Sequence, residues 1–157
     1  MKMEDQSQPG FFRSLNTIFL ALFYGQVLLL IIDLLLKQKG ITLIASQQEM
    51  NIFLVIAVVF AAAEVIASRQ MFSKALQGIS YEESTENRLA KYRSAFIIRC
   101  ALIEGASLMT LVFFLITGNY YFAGLWIILA LFYFSGKPSK DKIATALQLT
   151  EQEKAGL

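Results

Sequence analysis

The 157-residue sequence contains no histidine, one cysteine and two prolines. Without histidine it lacks the commonest general base, the commonest metal ligand and the usual switch near neutral pH. The lone Cys100 excludes an internal disulfide and any cysteine-cluster metal site. No phosphate loop or nucleotide-binding motif is present. No basic run suggests a nucleic-acid surface, and 14 Lys and Arg nearly balance 12 Asp and Glu. The prolines punctuate the margins: Pro9-Gly10 breaks the chain before the first apolar block, and Pro138 stops it after the last.

What is abundant is apolar surface. Hydrophobic residues make up 56% of the chain, above the 45–50% typical of soluble domains. They fall in four blocks separated by polar stretches, the pattern of membrane spans. The fold class read from this is all-α: a polytopic four-transmembrane-helix bundle of two antiparallel hairpins. The expected spans cover about 12–36, 49–68, 94–117 and 120–136. The first block is longer than a signal-peptide core and no small-residue cleavage site follows it closely, so an uncleaved span is expected. Residues 1–10 read as a flexible tail, and residues 137–157 as a tail with a weak amphipathic pattern at Ile143 and Leu147.

Local signals place the breaks. Ser46 and Glu49 form a capping-box pattern before the second block, and Ser80 and Glu83 form another before the third. Residues 69–93 are expected to hold two projecting helices joined near Gly78. Gly118-Asn119 marks a tight turn. The fourth block is short for a span of about 17–25 residues.

Orientation follows from the basic residues near the block ends. Eleven lie on the side holding both termini and 69–93; the opposite side has only Lys37 and Lys39. This asymmetry predicts cytoplasmic termini in the inner (plasma) membrane. Tyr120, Tyr121 and Tyr133 are expected in the interfacial aromatic belts.

Four charges fall inside the apolar blocks: Asp33, Glu64, Arg99 and Glu104. A charge at the bilayer centre costs at least ~2.5–3.5 kcal/mol, so such residues face the interior and find partners. Glu64 and Arg99 each lie about 8–9 Å in from the same side at ~1.5 Å per residue, which predicts a structural interhelical ion pair. Ala57 and Ala61 share the Glu64 face and permit close helix approach. Asp33 stands four residues before Lys37, a spacing for an intrahelical pair. Cys100 reads as a small buried hydrophobe.

Around the third block, Arg99, Cys100, Glu104, Ser107 and Thr110 share one arc at ~100° per residue, and the rest is apolar. Glu104 lies near the midplane. It is expected either to fix packing as a neutral acid bonded to Gln26 or Ser107, with Trp126 close by, or to form with them a proton or cation site. Ala101 and Gly105 make a small-xxx-small pair on the apolar face, suited to another protomer.

The stretch Ala101-Leu-Ile-Glu104-Gly-Ala-Ser-Leu108 resembles the carboxylate helix of rotary ATPase ring subunits. It lacks the glycine-rich partner helix of those rings, and Arg99 has no place in their pattern. As a whole the chain looks like uncharacterised four-span bacterial inner-membrane proteins, on three features. These are the Ile97-Ile-Arg99 to Glu104-Gly segment, the Thr117-Gly-Asn119 turn and the Lys137-Pro-Ser-Lys140 exit. That resemblance implies no activity.

The reading is therefore a non-enzymatic membrane subunit or assembly factor without cofactor or metal. Its partners would be the lipid bilayer and other membrane subunits or further copies of itself, not nucleic acid. The alternative is a small proton- or cation-coupled transport element using Glu104.

Overall fold

The computed structural model describes residues 10–41, 46–80 and 82–157. Apart from Gly10, the expected N-terminal tail lies outside them. Among the described residues the structure is all-helical: α1 (Phe11–Gln38), α2 (Gln47–Gln77), α3 (Thr85–Thr117), α4 (Tyr120–Ser135), α5 (Lys140–Leu147) and α6 (Glu151–Ala155). The helices α1, α2 and α3 are each long and apolar enough to cross a membrane. The 16 residues of α4 fall short alone, and α5 continues from it at a bend of 62°.

The helix ends follow local chemistry. Ser46 and Glu49 form the expected capping box: the Ser46 hydroxyl accepts from the Glu49 amide at 3.3 Å, and the Ser46 amide donates to the Glu49 carboxylate at 2.7 Å. Gly78 ends α2 as expected. Gly118 ends α3 with φ 61°, a left-handed conformation that glycine adopts without strain. Asn119 then caps α4 through the Tyr121 amide at 2.9 Å.

The second expected capping box does not form. The helix α3 starts at Thr85, and Ser84 is its cap, accepting from the Asn87 amide at 3.4 Å. Ser80 instead accepts from the Glu82 amide in a tight turn, and the Glu83 carboxylate reaches across to Lys91. A serine hydroxyl serves a turn as readily as a cap, and the turn wins here.

The centre of the assembly is α3, which packs against α2, α4 and α1. Phe53 stacks on Phe113 at 5.1 Å and Phe72 meets Tyr92 edge-on at 5.7 Å, so α2 and α3 run in opposite directions. Small residues make the close approach: Ala57 and Ala61 are buried, and Ala61 meets Ala106. The exposed arc of α3 is Ile98, Ala101, Gly105, Leu108 and Val112, the apolar face read from the sequence.

The C-terminal segment is more than a solvated tail. Ile143 and Leu147 are fully buried and join Phe11, Leu15, Leu89 and Tyr92 in the largest core cluster, where Leu157 is also buried. Fully burying such aliphatic side chains is worth about 1.5–3 kcal/mol each, enough to hold two short helices that would not form alone. The result is a cap, built from the start of α3, α5 and α6, at the end of the molecule where the start of α1 meets the C-terminal residue Leu157.

Candidate functional site

Three polar clusters stand out, each built by a different part of the chain.

The first lies between α1, α3 and α4. On α1, Gln26 and Asp33 are seven residues apart, which places them on one face two turns apart. Both are buried, as are Ser107 and Thr110 on α3. Trp126 on α4 donates its indole N–H to Gln26 Oε1 at 3.3 Å. Thr110 donates back to the Ala106 carbonyl at 2.8 Å. The remaining polar atoms are unmatched: Gln26 Nε2, Ser107 Oγ and both carboxyl oxygens of Asp33 have no hydrogen-bond partner. Orphaned buried polar groups cost roughly 1–3 kcal/mol each, and more for a charged group.

This arrangement departs from the sequence expectation at two points. Glu104 bonds neither Gln26 nor Ser107; it is partly exposed, and no described residue shares a hydrogen bond with its carboxyl. At ~100° per residue it lies about 40° beyond buried Cys100, toward the exposed Ala101 and Leu108, on the margin of the packed face. Lys37 does not pair with Asp33. Its ammonium donates to the Gly118 carbonyl and sits 3.3 Å from the centre of the Tyr120 ring. That position lies at the negative end of α3, where a cation is stabilised by the last carbonyls and by the ring face. Asp33 turns inward alone. Its burial was not legible from the i,i+4 spacing; its seven-residue spacing from Gln26 was the available signal.

The second cluster holds Glu64, Arg69 and Arg99. The expected Glu64–Arg99 ion pair is absent: the ion pairs among the described residues are Arg88–Glu153, Lys91–Glu83 and Lys154–Asp141. The reason is direction. Side chains tilt toward the N-terminus of their helix. On antiparallel helices, two side chains at similar depth therefore diverge. The Arg99 guanidinium swings toward the cap, 5.0 Å from the centre of the Phe72 ring. Phe72 is eight residues beyond Glu64, about 12 Å along α2 at 1.5 Å per residue. Glu64 is left half-buried, with Oε2 enclosed and unbonded. Arg69 lies 5.2 Å from the Phe132 ring of α4.

The third cluster ties the cap. Arg88 is buried and donates Nη1 to the Leu147 carbonyl at 2.7 Å; its Nη2 reaches Glu153 at 3.0 Å and Thr85 at 3.1 Å. Glu153 also accepts from the Thr85 hydroxyl and, at 2.7 Å, from the Thr150 amide. The Thr85 hydroxyl, the Thr150 amide and hydroxyl, and the Arg88 charge outweigh partial burial and hold its carboxyl far down, at about 2. The sequence carried a sign of this in Thr150-x-x-Glu153, a capping-box spacing that caps α6.

An aromatic layer joins the cap to the long helices. Tyr133 is buried rather than interfacial. Its hydroxyl donates to the Phe19 carbonyl at 2.8 Å, and its ring stacks on Phe19 with centroids 4.4 Å apart.

No family model matches the chain, and no curated protein and no solved structure does so either.

Proposed function

We propose that the protein is a non-enzymatic, multi-pass membrane protein working as a subunit or assembly factor of a membrane complex. In this reading α1 to α4 are four spans forming two antiparallel hairpins, and both termini are cytoplasmic. The observation that carries it is Glu64. It lies within a membrane-length helix whose buried residues are Ala57, Ala61 and Ser68, and no described residue donates a hydrogen bond to its buried Oε2. A partner helix offering a donor would satisfy it, since intramembrane charges are tolerated where they are paired.

The test is purification of the full chain in mild detergent from its own membrane. A stoichiometric complex that Glu64→Gln dissociates is the expected result. A wild-type chain that is monomeric, and that Glu64→Gln leaves unchanged, would overturn it. Reporter fusions after Lys39 and Asn119 should report the outside, and fusions after Lys74 and Lys140 the inside; one reversed pair defeats the topology.

A specific observation favours a second reading. Asp33, Gln26 and Ser107 together present four buried polar atoms without partners. A proton or a small cation on Asp33 would satisfy part of this set, and Glu104, at the margin of the packed face of α3 that carries Ser107, would be the second carboxyl of a coupled transport role. A symmetric homo-oligomer whose ion flux is lost in Asp33→Asn, with folding intact, would select this reading over the first.

A further inference from the structure

A shallow groove of about 320 Å³ runs between α2 and α4 on the outer face of the molecule. Its walls are apolar throughout, from Val58 to Ile66 on α2 and from Leu125 to Phe132 on α4. At 1.5 Å per residue these walls extend about 10–12 Å. The groove ends at Phe132, and there its character changes. The Arg69 guanidinium lies over the Phe132 ring, and one turn further the Arg99 guanidinium packs on Gly136.

Arg69 and Arg99 are both without a carboxylate partner among the described residues. Neither forms an ion pair or a hydrogen bond among the described residues, and Glu64 pairs with neither. Arg69 stands over Phe132 and Arg99 against Gly136, four residues apart at the end of α4, so both charges lie at the same end of the groove. The fit at Gly136 is tight: a Cβ there would stand 2.9 Å from Arg99 Nη2. Two unpaired guanidiniums gathered one helical turn apart along α4 are an unfavourable arrangement unless an anion lies near both.

We propose that this site binds an anionic phospholipid, its phosphate held by Arg69 and Arg99 and one acyl chain laid in the α2–α4 groove. Arginine matches a phosphodiester through paired N–H donors, and basic pockets between spans at a membrane surface suit acidic headgroups. The groove supplies what a free phosphate would not use, an apolar channel continuous with the charged site. The inference rests on α2 and α4 being neighbouring spans, which the reporter fusions test separately.

The experiment is native mass spectrometry of the full chain in detergent, with dioleoyl phosphatidylglycerol or dioleoyl phosphatidylcholine added at equal concentration. The expected result is selective retention of phosphatidylglycerol. Loss of two charge-assisted contacts in Arg69→Gln/Arg99→Gln should weaken retention by roughly tenfold or more. Arg69 is exposed, so Arg69→Gln alone should fold and still weaken it. Ala62→Phe fills the groove, leaves both arginines in place and should also reduce retention. Equal binding of the two lipids would overturn the proposal. So would competition by millimolar inorganic phosphate that Ala62→Phe does not alter, since that describes an anion site without a lipid.

Discussion

The two ends of the molecule solve the same problem with opposite means. In the cap, the buried Arg88 guanidinium is held mainly by distant parts of the chain: its two terminal nitrogens reach the Leu147 carbonyl, Glu153 and the nearby Thr85, and Nε alone of the guanidinium is left without a partner among the described residues. Between the long helices the reverse holds. There Asp33, Gln26, Ser107 and Glu64 keep buried atoms that no described residue satisfies. The cap is held by short amphipathic pieces that need specific bonds to stay folded, because eight- and five-residue helices have little stability of their own. The long helices satisfy their backbones internally and are held by shape, through alanines and aromatic rings. Where polar atoms persist in such a setting without partners, packing does not account for them.

The aromatic layer between these regions offers the severest test of the comparison. Phe19 is fully buried, stacks on Tyr133 and packs against Phe96 and Phe134. Phe19→Ala should cost roughly 3–5 kcal/mol of stability in detergent. If shape holds the long helices, thermal unfolding will shift for the cap and the spans together. A loss confined to the cap would place the layer with the cap instead.

A smaller and more local effect is expected from Arg88→Gln. It strips the Leu147 carbonyl and Glu153 of a buried donor, at a cost of about 2–3 kcal/mol. Hydrogen exchange should accelerate through α5 and α6 while α1, α2 and the apolar part of α3 keep their protection. Uniform loss of protection along the chain would show that cap and spans are one cooperative unit.

Acid should act on the same contact. The Glu153 carboxyl is held at about 2, below the ordinary 4.5 of the free side chain. A depressed carboxylate contributes stability above its unfolded value, and that contribution is lost as pH falls through its folded value. Docking of α5 and α6 should therefore be constant near neutrality and weaken progressively from about pH 5 toward 2. Proteolysis at the segment joining α5 to α6 gives the readout. In Glu153→Gln the acid dependence should be smaller, and an unchanged acid profile would assign it to other carboxylates.

How much of this was legible in the sequence depends on what sets each feature. Hydropathy located the long helices, because backbone satisfaction in an apolar setting forces helix wherever a long apolar run occurs. Gly118-Asn119 and the Ser46–Glu49 box fixed ends because those contacts are local. Ala57 and Ala61 were readable as a contact face from their spacing alone. The failures came where the answer depended on direction in space. Equal depth suggested a Glu64–Arg99 pair, but depth along an axis says nothing of the opposite tilts of antiparallel side chains. Lys37 took a ring and a carbonyl from a turn 81 residues away, beyond the reach of any spacing rule. The weak pattern at Ile143 and Leu147 became a docked helix because its partner surface, Leu89 and Tyr92 on α3, exists only once α3 extends past the apolar block.

The smallest expected effect is also the most discriminating. Glu64 and Arg99 lie on facing helices, and each is a costly residue in an apolar segment. Were they bonded, removing one would leave the other buried and uncompensated, and the double replacement would recover much of that loss. Here Arg99 reaches toward Phe72 and Gly136, and the buried Oε2 of Glu64 is left without a bond to it. Each residue then interacts with its own surroundings. A double-mutant cycle with Glu64→Gln and Arg99→Gln, read from stability in a neutral detergent, should be additive to within about 0.5 kcal/mol. Detergent without acidic lipid matters, because an anion between Arg69 and Arg99 would bind Arg99 on one side of the cycle only. A coupling of 1 kcal/mol or more, roughly twice the limit for independent sites, would mean that the two side chains meet in solution after all. In that case the contrast between a cap held by specific bonds and polar atoms left unmatched among the long helices would no longer hold at Glu64.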